Sequence, residues 1–339
     1  MFEQFLARVH RATGKLGCQL SHNPVKGEEE PWFRGMTSVT HEMMPSLFRQ
    51  FEAPNQYHRK GPSQWTKVRE VECDLFFEFA TRARELHGES MSDWDILFAM
   101  QHHGTPTRLL DWTESLGVAL YFATLKISDA VVVAVEAEAA GNATTEQKAL
   151  IAKTACPCVW ILNPFALTEL SWGNREIVDP SFLGWDFKKE EYWTYGEIIA
   201  DGYDFEWKWP VSIYPRQKTA RMHAQKAWFT FHGDEHLPLD EVQRRTVKKN
   251  GGVVAPYLLR VRLPLAAAPS ALLFLEHAGL NHYSLFPDLA GLSRWLLQKY
   301  RMDGGIKHPA PVPKEHAGET HRKGAGGKTR EKKSGRTKR

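Results

Sequence analysis

Residues 97–124 read LFAMQHHGTPTRLLDWTESLGVALYFAT and combine two apolar segments with a dense group of polar and aromatic side chains. Pro106 predicts a break after the first segment, because a proline disfavours helical backbone in the residue before it. Asp111 or Thr113 can cap the helix predicted to follow, since a short polar side chain accepts hydrogen bonds from the first free N–H groups. The stretch therefore predicts a polar loop between two buried segments, an arrangement that keeps side chains in place.

Two interpretations of this loop remain open. A Gly-Thr-Pro loop before a capped helix is common structure, and Asp111 or Thr113 can be no more than a cap. Against this, the loop places a glutamine, two histidines, an arginine, an aspartate and a tryptophan beside an apolar helix. Buried polar groups cost free energy unless they are satisfied, so such a cluster favours a binding or catalytic site.

Apolar periodicity predicts the other elements of the chain. Residues 67–87 carry apolar side chains at three- and four-residue steps and give the clearest helix, and Ser92 is expected to cap the next one. Further helices are predicted at 2–17, 46–51, 270–278 and 289–300. Strands are predicted at 32–35, 130–135, 158–162, 211–215, 228–231 and 257–263. Because these elements do not alternate as regular βαβ units, we expect an α+β fold with a mixed sheet and helices around it.

Composition limits where the protein acts. The chain has 339 residues, of which 42% are hydrophobic, so it can bury a sizeable core. No apolar run reaches the length of about 18 residues that indicates a transmembrane helix, and we expect no contact with a membrane. The N-terminal residues lack the continuous apolar segment of a signal peptide. Four scattered cysteines are expected to be free thiols in the reducing cytoplasm: Cys18, Cys73, Cys156 and Cys158.

Charge separates the chain into two parts. Residues 303–339 hold 11 Lys and Arg against 4 Asp and Glu, so they carry a net charge of +7, whereas the whole chain carries +4. Residues 1–302 therefore carry 4 − 7 = −3. We expect residues 1–302 to form a globular domain and 303–339 to be a disordered basic tail, because the tail has too few apolar residues for a core. Such a tail can bind nucleic acid through its phosphates or can serve only for solubility.

Common catalytic motifs are absent from the sequence. It has no Gly-rich phosphate loop of the dinucleotide or NTPase kind. It also has no HExxH and no GxSxG, the motifs of metalloproteases and of serine hydrolases. His102, His103 and Asp111 could form a metal cluster. Because neighbouring histidines on one segment usually diverge, we expect no metal site there.

A family resemblance appears in two separate motifs. Trp32-Phe33-Arg34-Gly35 is followed by Met44-Pro45-Ser46-Leu47-Phe48-Arg49, and later by QHHGTPTRLLDWTESLGVALYFA. Together they closely resemble the bacterial FRG-domain family, which is named for the Phe-Arg-Gly triplet. The resemblance is strong over residues 30–125 and weaker over 126–302, where additional strands and helices are expected.

A looser resemblance connects the same motifs to ADP-ribosyltransferases. These enzymes bind NAD in a split, mostly β fold, and many begin the site with an aromatic-Arg-Gly strand. The resemblance implies that Arg34 grips the NAD phosphates, that Asp111 acts as the catalytic acid, and that Thr113 and Gln225 complete the catalytic set. The Gln-x-Glu or Glu-x-Glu element of such enzymes is missing, since no Glu follows Gln225 at the usual step. Asp111 and Glu114 are the stand-ins for it.

The resemblance also implies a set of residues that hold NAD: Phe33, Gly35, His103, Thr107, Arg108 and Tyr121. Thr107 and Arg108 could hold the second phosphate or ribose, and Tyr121 or Trp112 could stack on nicotinamide. Structural alternatives stay open for several of them. Arg34 could instead form a buried ion pair, even with Asp111, and His103 could be a hydrogen-bonded core residue.

Two classes of function follow from the sequence. The first is an ADP-ribosyltransferase-like bacterial toxin or antiphage effector that consumes NAD and modifies a nucleic acid or protein, with an antitoxin or defence protein as partner. The second is a recognition module for nucleic acid or protein that uses the basic tail and catalyses nothing.

Overall fold

Helices and strands follow one another irregularly along the chain. The helices are α1 (Phe2–Lys15), α2 (Ser46–Arg49), α3 (Pro62–His87), α4 (Asp93–His102), α5 (Leu116–Thr124), α6 (Asp129–Ala139), α7 (Thr145–Lys153), α8 (Pro164–Trp172), α9 (Tyr195–Ala200), α10 (Ala220–Ala224), α11 (Leu239–Lys249), α12 (Ala268–His277), α13 (His282–Leu285) and α14 (Leu289–Lys299). The strands are β1 (Trp32–Met36), β2 (Leu109–Thr113), β3 (Cys158–Leu162), β4 (Trp185–Asp186), β5 (Glu191–Tyr192), β6 (Val211–Ile213), β7 (Ala227–Phe231) and β8 (Leu258–Arg262).

The protein's structure is a computed structural model that describes residues 1–19, 29–51, 62–87, 91–186, 191–200, 210–215, 219–233, 236–249, 255–300 and 302. Residues Met1–Leu296 form one compact unit, and the described residues 297–300 and 302 belong to a second. The predicted basic tail, 303–339, lies outside the described residues. In the described ranges no single helix is long and apolar enough to span a membrane, and α5 and α6 meet that test only as a pair bent by 95°.

A six-stranded sheet in the order β6-β7-β2-β1-β3-β8 organises the larger unit. All of its ladders are antiparallel, so the α+β class is confirmed and the expected mixed sheet is not. Side chains of β3 alternate between the two faces, as the pleat requires. Val159 and Ile161 pack with α1, α5 and α12, whereas Trp160 packs on the opposite face with the aromatic rings of β1 and β2. Helices or loops therefore cover the sheet on both faces.

Strands β1 and β2 share the shortest ladder of the sheet. This ladder is the pair Phe33–Thr113, whereas β1 pairs with β3 over five residues, from Trp32 to Met36. The backbones of β1 and β2 therefore separate beyond this pair. Side chains, rather than ladder hydrogen bonds, can enter the space between them.

Helix α5 lies against β1, and Gly35 sets the distance between them. A Cβ atom at Gly35 would stand 1.7 Å from the carbonyl oxygen of Ala119 and 2.7 Å from the backbone nitrogen of Ala123. Backbone atoms cannot move aside as a side chain can, so this approach requires glycine. The last residue of the Phe-Arg-Gly triplet thus has a packing role.

A buried ion pair connects α3 to the start of β2. Arg108 contacts the carboxylate of Glu72 with Nη2 and with Nε, the latter at 2.6 Å, and Tyr195 donates its hydroxyl to the same carboxylate. Nη1 of Arg108 donates to the carbonyls of His232 and Gly233 at 3.0 and 3.1 Å. Only 2% of the Arg108 side chain and 4% of the Glu72 side chain are exposed, so each charge depends on the other for its neutralisation.

Most of the predicted elements are confirmed, with ends that shift by a few residues. The strands predicted at 32–35, 158–162, 211–215, 228–231 and 257–263 are β1, β3, β6, β7 and β8. The helices predicted at 2–17, 46–51, 67–87, 270–278 and 289–300 are α1, α2, α3, α12 and α14. Ser92 caps α4, as predicted, in a reciprocal arrangement with Asp95.

Two predictions of local structure are wrong. Residues 130–135, expected to be a central strand, lie in α6, where Val131, Ala134 and Val135 are buried at helical spacing. Asp111 and Thr113 do not cap a helix but belong to β2; Ser115 caps α5 instead, because its side chain accepts from the N–H of Val118. The polar loop of the first stretch therefore ends at Arg108, and a strand follows it.

Candidate functional site

A cleft of about 240 Å³ lies where the ends of α4 and α10 meet strands β1, β2 and β7. All four residues predicted to be catalytic line it, together with two of those predicted to hold a cofactor: Arg34, Asp111, Thr113, Gln225, Phe33 and Gly35. The rings of Phe98, Phe122 and Phe229 contribute an apolar part of the wall. A cleft with apolar walls and a few converging polar groups is the usual form of a small-molecule site.

Arg34 and Asp111 meet in this cleft. Nη1 of Arg34 donates to the carbonyl oxygen of Asp111 at 2.6 Å and lies 3.4 Å from its carboxylate. The guanidinium thus bridges the space that the separating strands leave. The Asp111 side chain is 52% exposed and that of Arg34 19%, so the pair is open to a ligand on the carboxylate side. Nε of Arg34 is buried and has no hydrogen-bond partner within the described ranges.

Gln101 and Thr107 hold the Asp111 carboxylate in place. Gln101 Nε2 donates to Asp111 Oδ1 at 2.9 Å, and Thr107 Oγ1 donates to Gln101 Oε1 at 2.5 Å. Thr107 in turn accepts from the backbone N–H of Leu109 at 3.1 Å. This series of hydrogen bonds fixes the orientation of the carboxylate before any ligand arrives, as a preorganised site requires.

Thr113 and Gln225 are bonded to each other and to structural groups. Thr113 Oγ1 donates to the Gln225 carbonyl at 2.7 Å and accepts from the N–H of Ser115 at 3.0 Å. The Gln225 side-chain amide donates to the carbonyl of Leu285 at 3.1 Å. Both residues face the cleft, but their hydrogen bonds join β2, α10 and α13, so they shape the wall.

Arg221 is a cleft residue that the motifs did not identify. It lies on α10, and its Nη1 donates to the carbonyl oxygen of His102 at 2.9 Å. The guanidinium carbon stands 4.5 Å from the centre of the Phe286 ring, within the range of a cation–π contact. The sequence carried a signal for it, since Arg221 to Lys226 reads as a basic and polar turn before a strand.

Electrostatics make the cleft cationic. Burial lowers the pKa of Arg221, and nearby Asp111 and Asp288 offset part of this effect. Arg49, at the end of α2, has its pKa lowered by burial and by Arg34 and raised by Asp111. Burial, and then the charge of Arg221, lowers the pKa of His102, which is therefore a neutral imidazole at neutral pH. Two arginines and one carboxylate thus line the cleft, with Arg49 and Asp288 nearby.

Four residues predicted to hold a cofactor do not line the cleft: His103, Thr107, Arg108 and Tyr121. His103 is exposed after the end of α4, and Arg108 is the buried partner of Glu72. The Tyr121 hydroxyl lies 2.9 Å from Nδ1 of His282, and burial raises its pKa to about 12. Thr107 reaches the site through Gln101 alone.

Gln101 and His102 line the cleft although neither was chosen from the sequence. Both lie in the quoted stretch beside His103, and the last turn of α4 decides which of the three side chains faces inward. In the part of the chain that the structure describes, no group of three or more His, Cys, Asp or Glu residues could hold a metal ion.

Comparison with known proteins identifies one domain. Residues 29–130 match the FRG domain, so the resemblance seen in the two motifs is confirmed for this part of the chain. The matched range contains Arg34, Gln101 and Asp111 but ends before Arg221 and Gln225. No curated protein and no solved structure matches the chain.

Proposed function

We propose that this FRG-domain protein binds NAD in the cleft and transfers ADP-ribose to a nucleic acid or a protein. The observation that carries the proposal is the contact between Arg34 and Asp111 on the wall of a single cleft. A guanidinium that binds phosphate and a carboxylate that faces a developing cation are the two charges that this chemistry needs.

Asp111 has the central role in the proposed reaction. The bond between C1′ of the ribose and the nicotinamide nitrogen breaks, and nicotinamide leaves with the bonding electrons. The half-exposed carboxylate stabilises the positive charge that develops on the ribose. A nucleophilic oxygen or nitrogen of the acceptor then bonds to C1′, and Asp111 takes its proton. Water in place of the acceptor gives free ADP-ribose.

Arg34 and the aromatic wall supply the binding. The Arg34 guanidinium lines the cleft, and its planar fork is suited to phosphate oxygens. Phe98 and Phe122 offer apolar surface to a nicotinamide ring. The volume of about 240 Å³ is just below the range of roughly 300–1,000 Å³ that is usual for small-molecule sites. The cleft therefore suits half of a dinucleotide, with the other half along its open side.

Glu114, the other stand-in for the missing acid, is a weaker candidate. Its carboxylate pairs with Lys226 at 3.1 Å and accepts from Trp228 Nε1 at 3.3 Å, and it does not line the cleft. We therefore assign the catalytic carboxylate to Asp111. Release of nicotinamide in a bacterial cell would deplete NAD or modify an essential acceptor, which is consistent with a toxin or antiphage effector that an antitoxin or defence partner restrains.

The test is nicotinamide release from NAD by the purified full chain, with a cell lysate as the source of acceptor. Arg34→Ala and Asp111→Ala are each expected to abolish release while the circular dichroism spectrum stays unchanged. Matched controls outside the cleft are Arg260→Ala and Asp129→Ala, which should retain wild-type release. If the wild-type protein neither binds NAD nor releases nicotinamide with any lysate, the proposal is wrong.

A second candidate function depends on charge in the sequence. The 11 Lys and Arg residues of 303–339 favour electrostatic binding to nucleic acid, which weakens with salt because counterions are released. A gel shift with duplex DNA or RNA that weakens with salt and disappears when the chain ends after Met302 would support this recognition role. A shift that survives the truncation would contradict it.

A further inference from the structure

Two arginines of the cleft are held in the same way. Arg34 uses Nη1 to bind the Asp111 carbonyl at 2.6 Å, and Arg221 uses Nη1 to bind the His102 carbonyl at 2.9 Å. In each case a neutral backbone oxygen fixes the guanidinium and consumes one of its five N–H donors. A backbone oxygen does not neutralise a guanidinium, so the charge of Arg221 stays available to a ligand, and that of Arg34 is shared with the Asp111 carboxylate at 3.4 Å.

Both guanidinium groups are also fixed in orientation. The Arg34 side chain is only 19% exposed and is held by its bond to the Asp111 carbonyl at 2.6 Å. Arg221 stacks over Phe286, whose ring is itself stacked on His282 at 4.4 Å between centroids. Because the side chains are already ordered, binding a ligand costs little of their conformational entropy.

The cleft has more positive than negative charge. Among the residues that line it, Arg34 and Arg221 carry positive charge and Asp111 carries negative charge. Near them, Arg49 adds one positive charge and Asp288 one negative charge. Asp111 is bonded to Gln101 on one oxygen and lies 3.4 Å from Arg34 on the other, so it does not neutralise both arginines. Low-dielectric walls of phenylalanine strengthen the field that an anion meets there.

We propose that Arg34 and Arg221 form a two-arginine clamp for the two phosphates of a diphosphate ester. The cleft would then select conjugates of a nucleoside diphosphate over nucleoside monophosphates and free nucleosides. This inference rests on the proposed function, since it names the chemical class of the substrate and adds Arg221, which lies outside the FRG range of 29–130, as a specificity residue.

Titration calorimetry of the full chain with inorganic pyrophosphate, ADP-ribose and AMP tests the clamp. Pyrophosphate and ADP-ribose are expected to bind, and AMP at least tenfold more weakly. Arg34→Gln and Arg221→Gln should each weaken pyrophosphate binding by roughly tenfold to a hundredfold, the effect expected when a charge-assisted hydrogen bond is lost. Arg260→Gln is the matched control. That arginine also binds a backbone carbonyl, of Val39 at 2.6 Å, and stacks over a ring, of Trp160 at 5.1 Å, but lies outside the cleft.

The Arg221→Lys variant separates a loss of binding from a loss of folding. Lysine keeps the charge but cannot bind a carbonyl and a phosphate with one planar fork, so this variant should melt near the wild-type temperature and still bind pyrophosphate at least several-fold more weakly. Wild-type affinity for pyrophosphate in folded Arg221→Gln or Arg221→Lys would overturn the clamp. So would equal affinity of the wild-type protein for AMP and ADP-ribose, or no binding of pyrophosphate at all.

Nicotinamide release, measured on the same samples, separates the two proposals. Arginine-dependent pyrophosphate binding without cleavage of NAD leaves the clamp standing and refutes the transferase. Cleavage of NAD that Arg221→Gln does not alter in rate or in KM refutes the clamp and leaves the transferase standing.

Discussion

His232 lies fully buried at the end of β7, and its surroundings disfavour a charge. Burial, followed by the charges of Arg108 and Arg34, lowers its pKa to about 3, and its Nδ1 has no hydrogen-bond partner within the described residues. In the unfolded chain the pKa returns to about 6.5. Between these values the unfolded chain binds one more proton than the folded protein, so stability falls as pH falls from about 6.5 toward 3.

We expect His232→Gln to remove part of this pH dependence. The wild-type free energy of unfolding should decrease by up to about 1.4 kcal/mol per pH unit on account of this group, and the variant should show a shallower slope. Urea denaturation at several pH values between 4 and 7, about one pH unit apart, measures this slope. His103→Gln, which changes an exposed histidine after α4, should keep the wild-type slope. Equal slopes for His232→Gln and the wild type would contradict the assignment.

At the scale of residues, the sequence predicted one side of the cleft better than the other. Arg34 and Asp111 stood out because rare side-chain types occur together in recognisable motifs. The contact between them was an open alternative, and the structure contains it together with an accessible carboxylate. The basic and polar turn that begins at Arg221 was a local signal, but the place of Arg221 in the cleft could not be predicted, because its bond to His102 joins residues 119 positions apart.

At the scale of elements, Gly35→Ala should separate β1 from α5. The added methyl would lie 1.7 Å from the Ala119 carbonyl, and neither backbone can move without distorting the sheet or the helix. We expect a loss of roughly 3 kcal/mol or more in the free energy of unfolding, or failure to fold. Chemical denaturation with Gly14→Ala as control measures it. Gly14 has no atom near its Cβ position and lies in α1, so alanine there should be neutral or stabilising by up to about 1 kcal/mol. Similar stability of both variants would refute the packing role of Gly35.

The two wrong elements show where local pattern fails. Residues 130–135 are apolar and β-branched, and such a short run fits a buried strand or a buried helix equally well. The spacing of Val131, Ala134 and Val135 was the signal for α6. Asp111 looked like a cap because it is a short acid before an apolar helix. Its place in β2 depends on pairing with Phe229, far along the chain.

At the scale of the whole molecule, the Glu72–Arg108 pair joins α3, the start of β2, the end of β7 and, through Tyr195, α9. Glu72→Gln should destabilise the fold by about 3–5 kcal/mol, because it leaves a buried guanidinium without its counter-charge. Glu78→Gln on the same helix removes an exposed pair with Arg82 and should cost less than about 1 kcal/mol. Thermal and urea unfolding compare the two variants. If Glu72→Gln costs no more than Glu78→Gln, the pair does not hold these segments together.

The order of the strands in the sheet could not be predicted from the sequence, for a related reason. Individual strands were visible in their apolar and β-branched runs. In the sheet, β1 lies between β2 and β3, and β7 lies beside β2. This order depends on contacts between segments that are distant in the chain. Charge patterning marked residues 303–339 as different from the rest, and that prediction falls outside the described residues.

The single ladder pair between β1 and β2 has a consequence for motion. Arg34 belongs to one half of the sheet and Asp111 to the other, and Phe33–Thr113 is the pair that joins the two strands. Beyond that pair, the two walls of the cleft are held together by the hydrogen bond from Arg34 to the Asp111 carbonyl and by α5, which contacts β1, β2 and β3. Amide-hydrogen exchange in α5 would then report how often the two walls part.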